Sequence, residues 1–401
     1  MLKLAMRKLI EEALESEVQD ALGRGYYSHG DGSSGHRNGQ RVARLKTAEG
    51  ELEYAVPQVR GTEFRSQVRP ELPRRTEALE DLAIEMYARG LSTRDIESTF
   101  CDEKGRSLLS RTAVSSLTER LWEEYTAFAT RDLSEYVVLY LFVDGIAERL
   151  HSGQPREAVL CAWGICEDGT KVLIHLAPGT KEDLTNCRGF FEDMKRRGLA
   201  DPLYVATDGA PGLIRSVEEC FPRSDRGRCL AHRMRNLQAK VPESDWPQFK
   251  AHAKAAYNAP SRETAQALRE DLVSRYAASH PTAVQCFEDD FEACTAHLRY
   301  PLSHRRYIRT TNLLERLFGE ERRRMKVVAN AFGERAVLKL MYSALIRGSE
   351  RWRGIGISVF EQRQLEMVRK ELDAEFERRH EVAVKGAKVT SPSRVSSKVR
   401  T

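Results

Sequence analysis

What this sequence lacks excludes several classes of protein. Its longest uninterrupted apolar run, residues 136–143, has the length of a strand and falls far short of the roughly 20 residues that a membrane span needs. The first residues, MLKLAMRK, lead into an acidic amphipathic segment without the apolar core of a signal peptide. The eight cysteines are dispersed and include no CxxC pair, so neither a disulfide framework nor a cysteine-rich zinc site is predicted. We therefore expect a cytoplasmic protein of about two to three domains with no membrane contact.

The positive charge of the chain is unevenly distributed. Residues 382–401 contain five Lys and Arg and no acid, which accounts for the whole net charge of +5. Two internal segments are locally basic: residues 226–240 hold five Lys and Arg with no acid, and residues 299–326 hold nine against three Glu. Clusters of this kind are typical of a nucleic-acid surface. A solvated helix face is the alternative interpretation.

Residues 1–75 predict a helix followed by a hairpin. Apolar side chains recur near one helical face in residues 1–24, and a Gly/Ser/His-rich stretch at 25–39 ends that helix. Residues 41–57 predict two strands around a turn at Glu49-Gly50. Prolines then mark an extended linker up to residue 75.

Residues 76–130 predict three short helices. The second is expected to begin at a capping box formed by Ser92 and Asp95, and the third, residues 111–128, at a cap provided by Ser110. Short helices joined by a glycine-containing turn are typical of a helix-turn-helix DNA-binding domain. In that arrangement the third helix presents to a major groove Arg111, Thr112 and Ser115. An ordinary three-helix packing unit is the alternative.

From residue 131 the pattern becomes α/β. Strands are predicted at 136–144, 157–166 and 171–177, then a helix, a fourth strand at 203–207, a second helix and a short fifth strand. An antiparallel start followed by a crossover helix and a parallel strand is the ribonuclease H-like order, in which the first and fourth strands are parallel neighbours. We therefore predict a ribonuclease H-like catalytic core made of residues 131–232 and 309–350.

Helical segments surround this core. Residues 233–308 are helix-forming and are interpreted as an all-helical insertion. Residues 351–381 predict a C-terminal helix. Residues 382–401 are expected to form a disordered basic tail, because they have little to bury.

Three acidic residues fit a two-metal site. Asp144 and Asp208 each end an apolar, strand-like run and precede a glycine, and Glu315 lies in a segment with helical periodicity. Hard oxygen ligands on rigid elements can hold two Mg2+ ions about 4 Å apart around a phosphate. Each Asp-Gly pair alone is also a common turn dipeptide. The occurrence of the pair at two matching strand ends favours the metal site.

Cys229 and His232 follow the fifth strand with CxxH spacing. Such a pair is half of a zinc site, but no matching pair follows at a recognisable distance, and a structural zinc site needs four ligands. We interpret the two side chains as a buried thiol and a hydrogen-bonded histidine that support the acidic site.

The segments LFVDGI, VATDGAPGL, RCLAHRMRNL and IRTTNLLERLFGEERRR resemble the Mutator-like group of bacterial insertion-sequence transposases. The resemblance runs from about residue 1 to 375. It implies a catalytic triad of the DDE type at Asp144, Asp208 and Glu315. The C/D-x-x-H signature of that family falls on Cys229 and His232, and its Asn-x-x-Glu-Arg signature falls on Asn312, Glu315 and Arg316.

The resemblance implies a transposase that binds terminal inverted repeats and performs Mg2+-dependent strand cleavage and strand transfer, with Mn2+ as a possible substitute. The expected partner is double-stranded DNA, both element ends and target, in a nucleoid-associated homodimer. In the basic segments the expected DNA contacts are Arg233, Arg235, Arg309, Arg322 and Arg323. A ribonuclease H-like structure-specific nuclease and a non-catalytic DNA-binding regulator are the alternatives, and the intact triad disfavours the regulator.

Overall fold

The computed structural model describes residues 2–25, 35–102, 105–151, 153–179, 184–311, 318–319, 322–323, 333–350 and 352–389. The chain divides into two compact units. The first is Met1–Glu123 with Arg324–Asn330, and the second is Glu124–Arg323 with Ala331–Thr401.

The first unit begins with the predicted helix and hairpin. Helix α1 (Leu2–Leu22) packs against a two-stranded antiparallel sheet of β1 (His36–Thr47) and β2 (Gly50–Arg60). Both strands are longer than predicted, and the turn lies one residue earlier, because Thr47 pairs with Gly50. Gly50 adopts φ +115°, a backbone conformation that glycine accepts without steric cost. The buried side chains between helix and sheet are Leu14, Leu45, Leu52, Tyr54 and Val56.

Four short to medium helices follow: α2 (Val68–Glu71), α3 (Glu77–Ala88), α4 (Thr93–Thr99) and α5 (Arg111–Thr130). The predicted capping box at the start of α4 is present, since the Ser92 side chain accepts from the Asp95 N–H and the Asp95 carboxylate accepts from the Ser92 N–H. Ser110 Oγ accepts from the N–H of Ala113 at 3.2 Å and caps α5 as predicted. The helices at 77–128 therefore follow from local sequence signals.

The second unit contains a five-stranded mixed sheet in the order β5-β4-β3-β6-β7. Strands β3, β4 and β5 are antiparallel neighbours, whereas β6 is parallel to β3 and β7 is parallel to β6. The predicted parallel pairing of the first and fourth strands of this sheet is thus confirmed. Their bounds are β3 (Val138–Glu148), β4 (Glu157–Cys166), β5 (Lys171–Gly179), β6 (Tyr204–Thr207) and β7 (Asp225–Arg228).

Strand β3 continues past the predicted end at residue 144. Its pairing with β4 extends to Glu148, while its pairing with β6 stops at Phe142. Asp144 therefore lies inside β3, two residues beyond the last pair with β6. The sequence pattern missed this because the apolar run stops at Val143, although the backbone ladder does not.

Side chains alternate between the two faces of the sheet. On one face Leu141 and Val143 pack with helices α6 (Leu184–Arg196) and α7 (Pro211–Cys220) in a continuous apolar core. On the other face Tyr140 meets Tyr300 edge-on, with ring centroids 5.5 Å apart. The Tyr140 hydroxyl also lies 2.7 Å from His304 Nδ1, so this face is fastened to the helical segment that follows.

Residues 233–308 are built from helices, as predicted. They have their own apolar core, which includes Phe249, Tyr257, Leu272 and Phe287. The helices are α8 (Leu230–Gln238), α9 (Trp246–Tyr257), α10 (Arg262–Tyr276), α11 (Pro281–Glu288), α12 (Phe291–Thr295), a 3-10 turn (Ala296–Arg299) and α13 (Leu302–Ile308).

Two further helices are described in the second unit, α14 (Glu334–Ser349) and α15 (Val359–Val389). The course of α15 corrects the predicted boundary at residue 381, because the helix continues to Val389; residues 390–401 lie outside the described residues. No helix in the described parts of the chain combines the length and the apolar character that crossing a membrane requires.

Candidate functional site

Asp144 is a buried carboxylate in the interior of the sheet, only 4% exposed. The Gly145 N–H donates to Asp144 Oδ1 at 2.9 Å, and the hydroxyl of Thr311 donates to Oδ2 at 3.1 Å. Burial raises the pKa of Asp144 to about 6; the charge of His232 opposes this rise, and the nearby charge of Asp208 adds to it. Burying an ionised carboxylate costs free energy, and a bound cation would reduce that cost.

Asp208 directly follows β6, the parallel neighbour of β3. Its Oδ1 accepts from the Ala210 N–H at 2.9 Å, which fixes the turn into α7. Gly209 has φ +90°, and a Cβ there would stand 2.3 Å from Arg228 Nε, so this turn has no room for a side chain. Because β3 and β6 are adjacent and parallel, the fold brings the two aspartates into one electrostatic site, as predicted.

Cys229 and His232 lie beside the aspartates at the start of α8. Cys229 is buried and is the N-cap residue of α8, and its N–H donates to the carbonyl of Thr207 at 2.8 Å. A hydrogen bond with Cys229 raises the pKa of His232 to about 9; burial opposes the rise, and the charges of Asp144 and Asp208 support it. Burial tends to raise the pKa of the Cys229 thiol. Hydrogen bonds from His232 and Thr311 have the larger combined effect and hold the pKa of the thiol below its usual value. His232 is therefore expected to carry a positive charge at neutral pH.

Thr311 belongs to this site but is absent from the predicted site residues. It is fully buried, and its backbone N–H and its hydroxyl each lie 3.3 Å from Cys229 Sγ, while the hydroxyl also donates to Asp144. Thr311 lies in non-helical chain after α13. Its position directly before the Asn-x-x-Glu-Arg motif was a signal in the sequence for this role.

The donor set is suited to a hard divalent cation. Two carboxylates share the site, and burial and the second carboxylate raise the pKa of Asp144. A bound Mg2+ ion would offset both the cost of burying the Asp144 charge and the repulsion between the two carboxylates. Among the described residues, no group of three or more His, Cys, Asp and Glu side chains is arranged to hold a metal ion. The predicted third ligand, Glu315, lies outside the described residues together with Asn312 and Arg316.

Arg233 corrects the predicted DNA surface. It is 1% exposed, and its guanidinium donates to the carbonyl oxygens of Cys286 at 2.7 Å and Asp289 at 2.5 Å. Arg226 and Arg228, in the same basic segment, form ion pairs with Asp290. These guanidiniums hold β7 and α8 to the helices at 281–295, so this part of the basic segment serves the fold.

The other predicted DNA contacts lie where solvent reaches them. Arg235, Arg322 and Arg323 are exposed, and Arg309 is half-buried and donates to the side chain of Asn258. In the first unit, α5 exposes the predicted groove-facing side chains Arg111, Thr112 and Ser115, and Arg111 pairs with Glu97 at 3.2 Å.

Comparison with known proteins gives a consistent result. Residues 1–354 match the model of the family described as Transposase, Mutator family. The transposase for insertion sequence element IS6120 of Mycolicibacterium smegmatis is 32% identical over 271 residues, which are 67% of this chain and 84% of that protein. The transposase for ISRM5 of Rhizobium meliloti is 28% identical over 353 residues, 88% of each chain. The transposase for IS256 in transposon Tn4001 of Staphylococcus aureus is 27% identical over 354 residues, 87% of this chain and 90% of that protein. With Asp144 in β3, Asp208 directly after the neighbouring strand β6, and the family model matching residues 1–354, this chain belongs to the Mutator family of transposases.

Proposed function

We propose that this transposase binds the terminal inverted repeats of an insertion sequence and catalyses Mg2+-dependent DNA strand cleavage and strand transfer. The observation that carries the proposal is the shared environment of Asp144 and Asp208, in which a buried carboxylate has a raised pKa beside a second carboxylate. Glu315 is proposed as the third member of the triad on its motif alone.

A ribonuclease H-like core is the fold proposed for this site. Three antiparallel strands followed by two parallel ones, in the order β5-β4-β3-β6-β7, support it. Along the sequence, the helices at 233–308 come after β7 and before the segment that contains Glu315, which is the position of the proposed insertion.

The proposed reaction consists of two in-line displacements at phosphorus. In the first, the oxygen of water bonds to phosphorus and the 3′ oxygen of the DNA leaves as a hydroxyl. In the second, the oxygen of that hydroxyl bonds to a phosphorus of the target, its proton is released, and the bond from that phosphorus to the target's own 3′ oxygen breaks, so that this oxygen leaves as a new 3′ hydroxyl. Bound Mg2+, or Mn2+ in its place, would neutralise the charge that develops on the phosphate and the leaving oxygen. Asp144 and Asp208 would hold it with Glu315, and the Thr311 hydroxyl and Gly145 N–H fix the direction of the Asp144 carboxylate. His232 offsets part of the negative charge of the two aspartates.

End recognition is assigned to the first unit. The hairpin of residues 36–60 and the helices from 77 onward form its folded part, and α5 exposes polar side chains suited to a major groove. Because two element ends must be joined, we propose that the protein acts on double-stranded DNA as a homodimer associated with the nucleoid.

The triad is tested by replacing one carboxylate at a time. Asp144→Ala, Asp208→Ala and Glu315→Ala are each expected to abolish nicking of end DNA while gel-shift affinity stays close to wild type, because recognition is assigned elsewhere. Asp271→Ala is the matched control, since that carboxylate of α10 pairs with Arg275 in its own helix. Substantial nicking by any of the three variants would remove that residue from the triad.

A further inference from the structure

The arginines of the second unit differ in whether a carboxylate neutralises them. Arg226 pairs with Asp290, Arg228 with Asp289 and Asp290, and Arg299 with Asp225 and Glu375. Pairing of this kind removes a cation from the set available to an external anion.

Helix α13 carries three arginines of the second kind. Within the described chain, no carboxylate lies within ion-pair distance of Arg305, Arg306 or Arg309. Arg305 donates to the carbonyl oxygens of Tyr300 and Pro260 at 3.0 and 2.8 Å, and Arg306 donates to the neighbouring hydroxyl of Tyr307. The three guanidinium groups of α13 therefore have no ion-pair partner among the described carboxylates.

Two cations of this region lie on one aromatic ring. Arg306 Cζ is 4.6 Å from the ring centroid of Tyr307, and Lys171 Nζ, from the first residue of β5, is 5.5 Å from the same centroid. Arg306 is exposed, and Lys171 and Tyr307 are half-buried. Burial lowers the pKa of Lys171, and no described acid offsets that cost. A cation kept partly buried without a counter-charge is a feature that an anionic ligand explains.

The position of α13 is fixed relative to the sheet. His304 bonds to the Tyr140 hydroxyl, and Ser303 donates to Glu361. Glu361 is the carboxylate that faces this helix, and it also caps α15 by accepting from Ser358 at 2.8 Å. Hydrogen bonds from Ser303 and Ser358 lower the pKa of Glu361 to about 2, so the carboxylate is ionised and its oxygens are hydrogen-bonded to these two serines.

We infer that Lys171, Arg306 and Tyr307, the α13 platform, bind the phosphate backbone of a DNA strand that runs to the active site. The inference rests on the proposed function and adds a contact surface to it. Tyr307 precedes Thr311 by four residues, a span of at most about 14 Å, which equals about four steps of 3.4 Å along B-DNA. The two cations match phosphate oxygens, and the ring offers a face for the sugar or an unstacked base.

The test uses the full-length protein and a fluorescein-labelled duplex of arbitrary sequence, with affinity measured by anisotropy at several salt concentrations. Lys171→Gln and Arg306→Gln are each expected to lower the slope of log affinity against log salt by about 0.9, because each removes one phosphate contact. Tyr307→Leu is expected to weaken binding, and Tyr307→Phe to keep it. Arg275→Gln is the matched control, because it removes the same charge from an exposed arginine already paired with Asp271 at 2.8 Å.

Two failures are distinguishable. If the wild-type protein binds no DNA, the proposed function fails and the platform fails with it. If the wild type binds and nicks DNA but Lys171→Gln and Arg306→Gln have the salt slope of Arg275→Gln, the proposed function stands and the platform is refuted. Circular dichroism and thermal unfolding confirm that the variants remain folded.

Discussion

Replacing Arg233 by methionine tests whether this guanidinium serves the fold or a DNA surface. Methionine keeps most of the aliphatic stem but removes every donor. The carbonyl oxygens of Cys286 and Asp289 then lose their charged partner in a place where Arg233 itself is only 1% exposed.

The expected loss follows from these two carbonyls. A hydrogen bond to a charged group is worth about 1.5–3 kcal/mol, so the loss of these two partly buried hydrogen bonds costs about 3–6 kcal/mol of unfolding free energy. Arg233→Lys should give an intermediate loss, because a single ammonium cannot reproduce the planar fork that reaches both oxygens. Arg275→Met, an exposed replacement on α10, should change stability by no more than about 0.5 kcal/mol.

Urea unfolding followed by circular dichroism measures these differences, and salt-dependent DNA binding is measured on the same samples. The structure predicts that Arg233→Met is destabilised and keeps the wild-type salt slope under conditions where it is folded. The opposite result, wild-type stability with a smaller salt slope, would show that Arg233 contacts DNA and does not stabilise the fold.

Two further predictions concern single side chains. Thr311→Val should lower the nicking rate by about 10- to 100-fold, because a hydrogen bond to a charged group is worth about 1.5–3 kcal/mol, whereas Thr311→Ser should stay near wild type; equal rates for both variants would show that the hydroxyl is unimportant. His297 is buried, and burial together with the charges of Arg305 and Arg309 lowers its pKa to about 4. The unfolded chain therefore takes up this proton below about pH 6.5 while the folded chain does not, so stability falls between pH 6.5 and 4; His297→Gln should remove up to about 3 kcal/mol of that fall in urea unfolding, and an unchanged pH profile would contradict the assignment.

Local signals predicted local structure well. The capping box of Ser92 and Asp95 fixes the start of α4 through contacts three residues apart, and Pro211 stands at the first position of α7. Alternation and apolar runs likewise located the strands, because each reports the burial of side chains within a few residues. Strand ends were less well predicted, as β3 shows, since a ladder continues wherever its neighbour offers partners.

Long-range pairing was beyond the reach of the sequence pattern. Residues 226–240 are basic without any acid, which indicates a charged surface as long as neighbours in the sequence are the only ones considered. In the fold, however, Arg226 pairs with Asp290, 64 residues later, and Arg233 reaches Asp289, 56 residues later. A run of basic residues indicates a surface for an external anion only when the fold gives those residues no carboxylate partners. The arginines of α13 meet that condition better than those of residues 226–240.

The same argument applies to the active site, where charge balance reveals more than any single motif. Asp144 meets Thr311 across 167 residues and Thr311 meets Cys229 across 82, so the buried site is assembled from three distant segments. Two carboxylates face one histidine with a raised pKa, which leaves the described part of the site with excess negative charge. Excess negative charge in a buried site is unfavourable without a bound cation, and adding Glu315 would increase that excess.

We therefore expect Mg2+ to stabilise the wild-type protein against unfolding. Asp144→Asn should be more stable than wild type without Mg2+ but should gain less stability when Mg2+ is added. Equal gains for the two proteins in thermal unfolding would show that Asp144 is not a metal ligand.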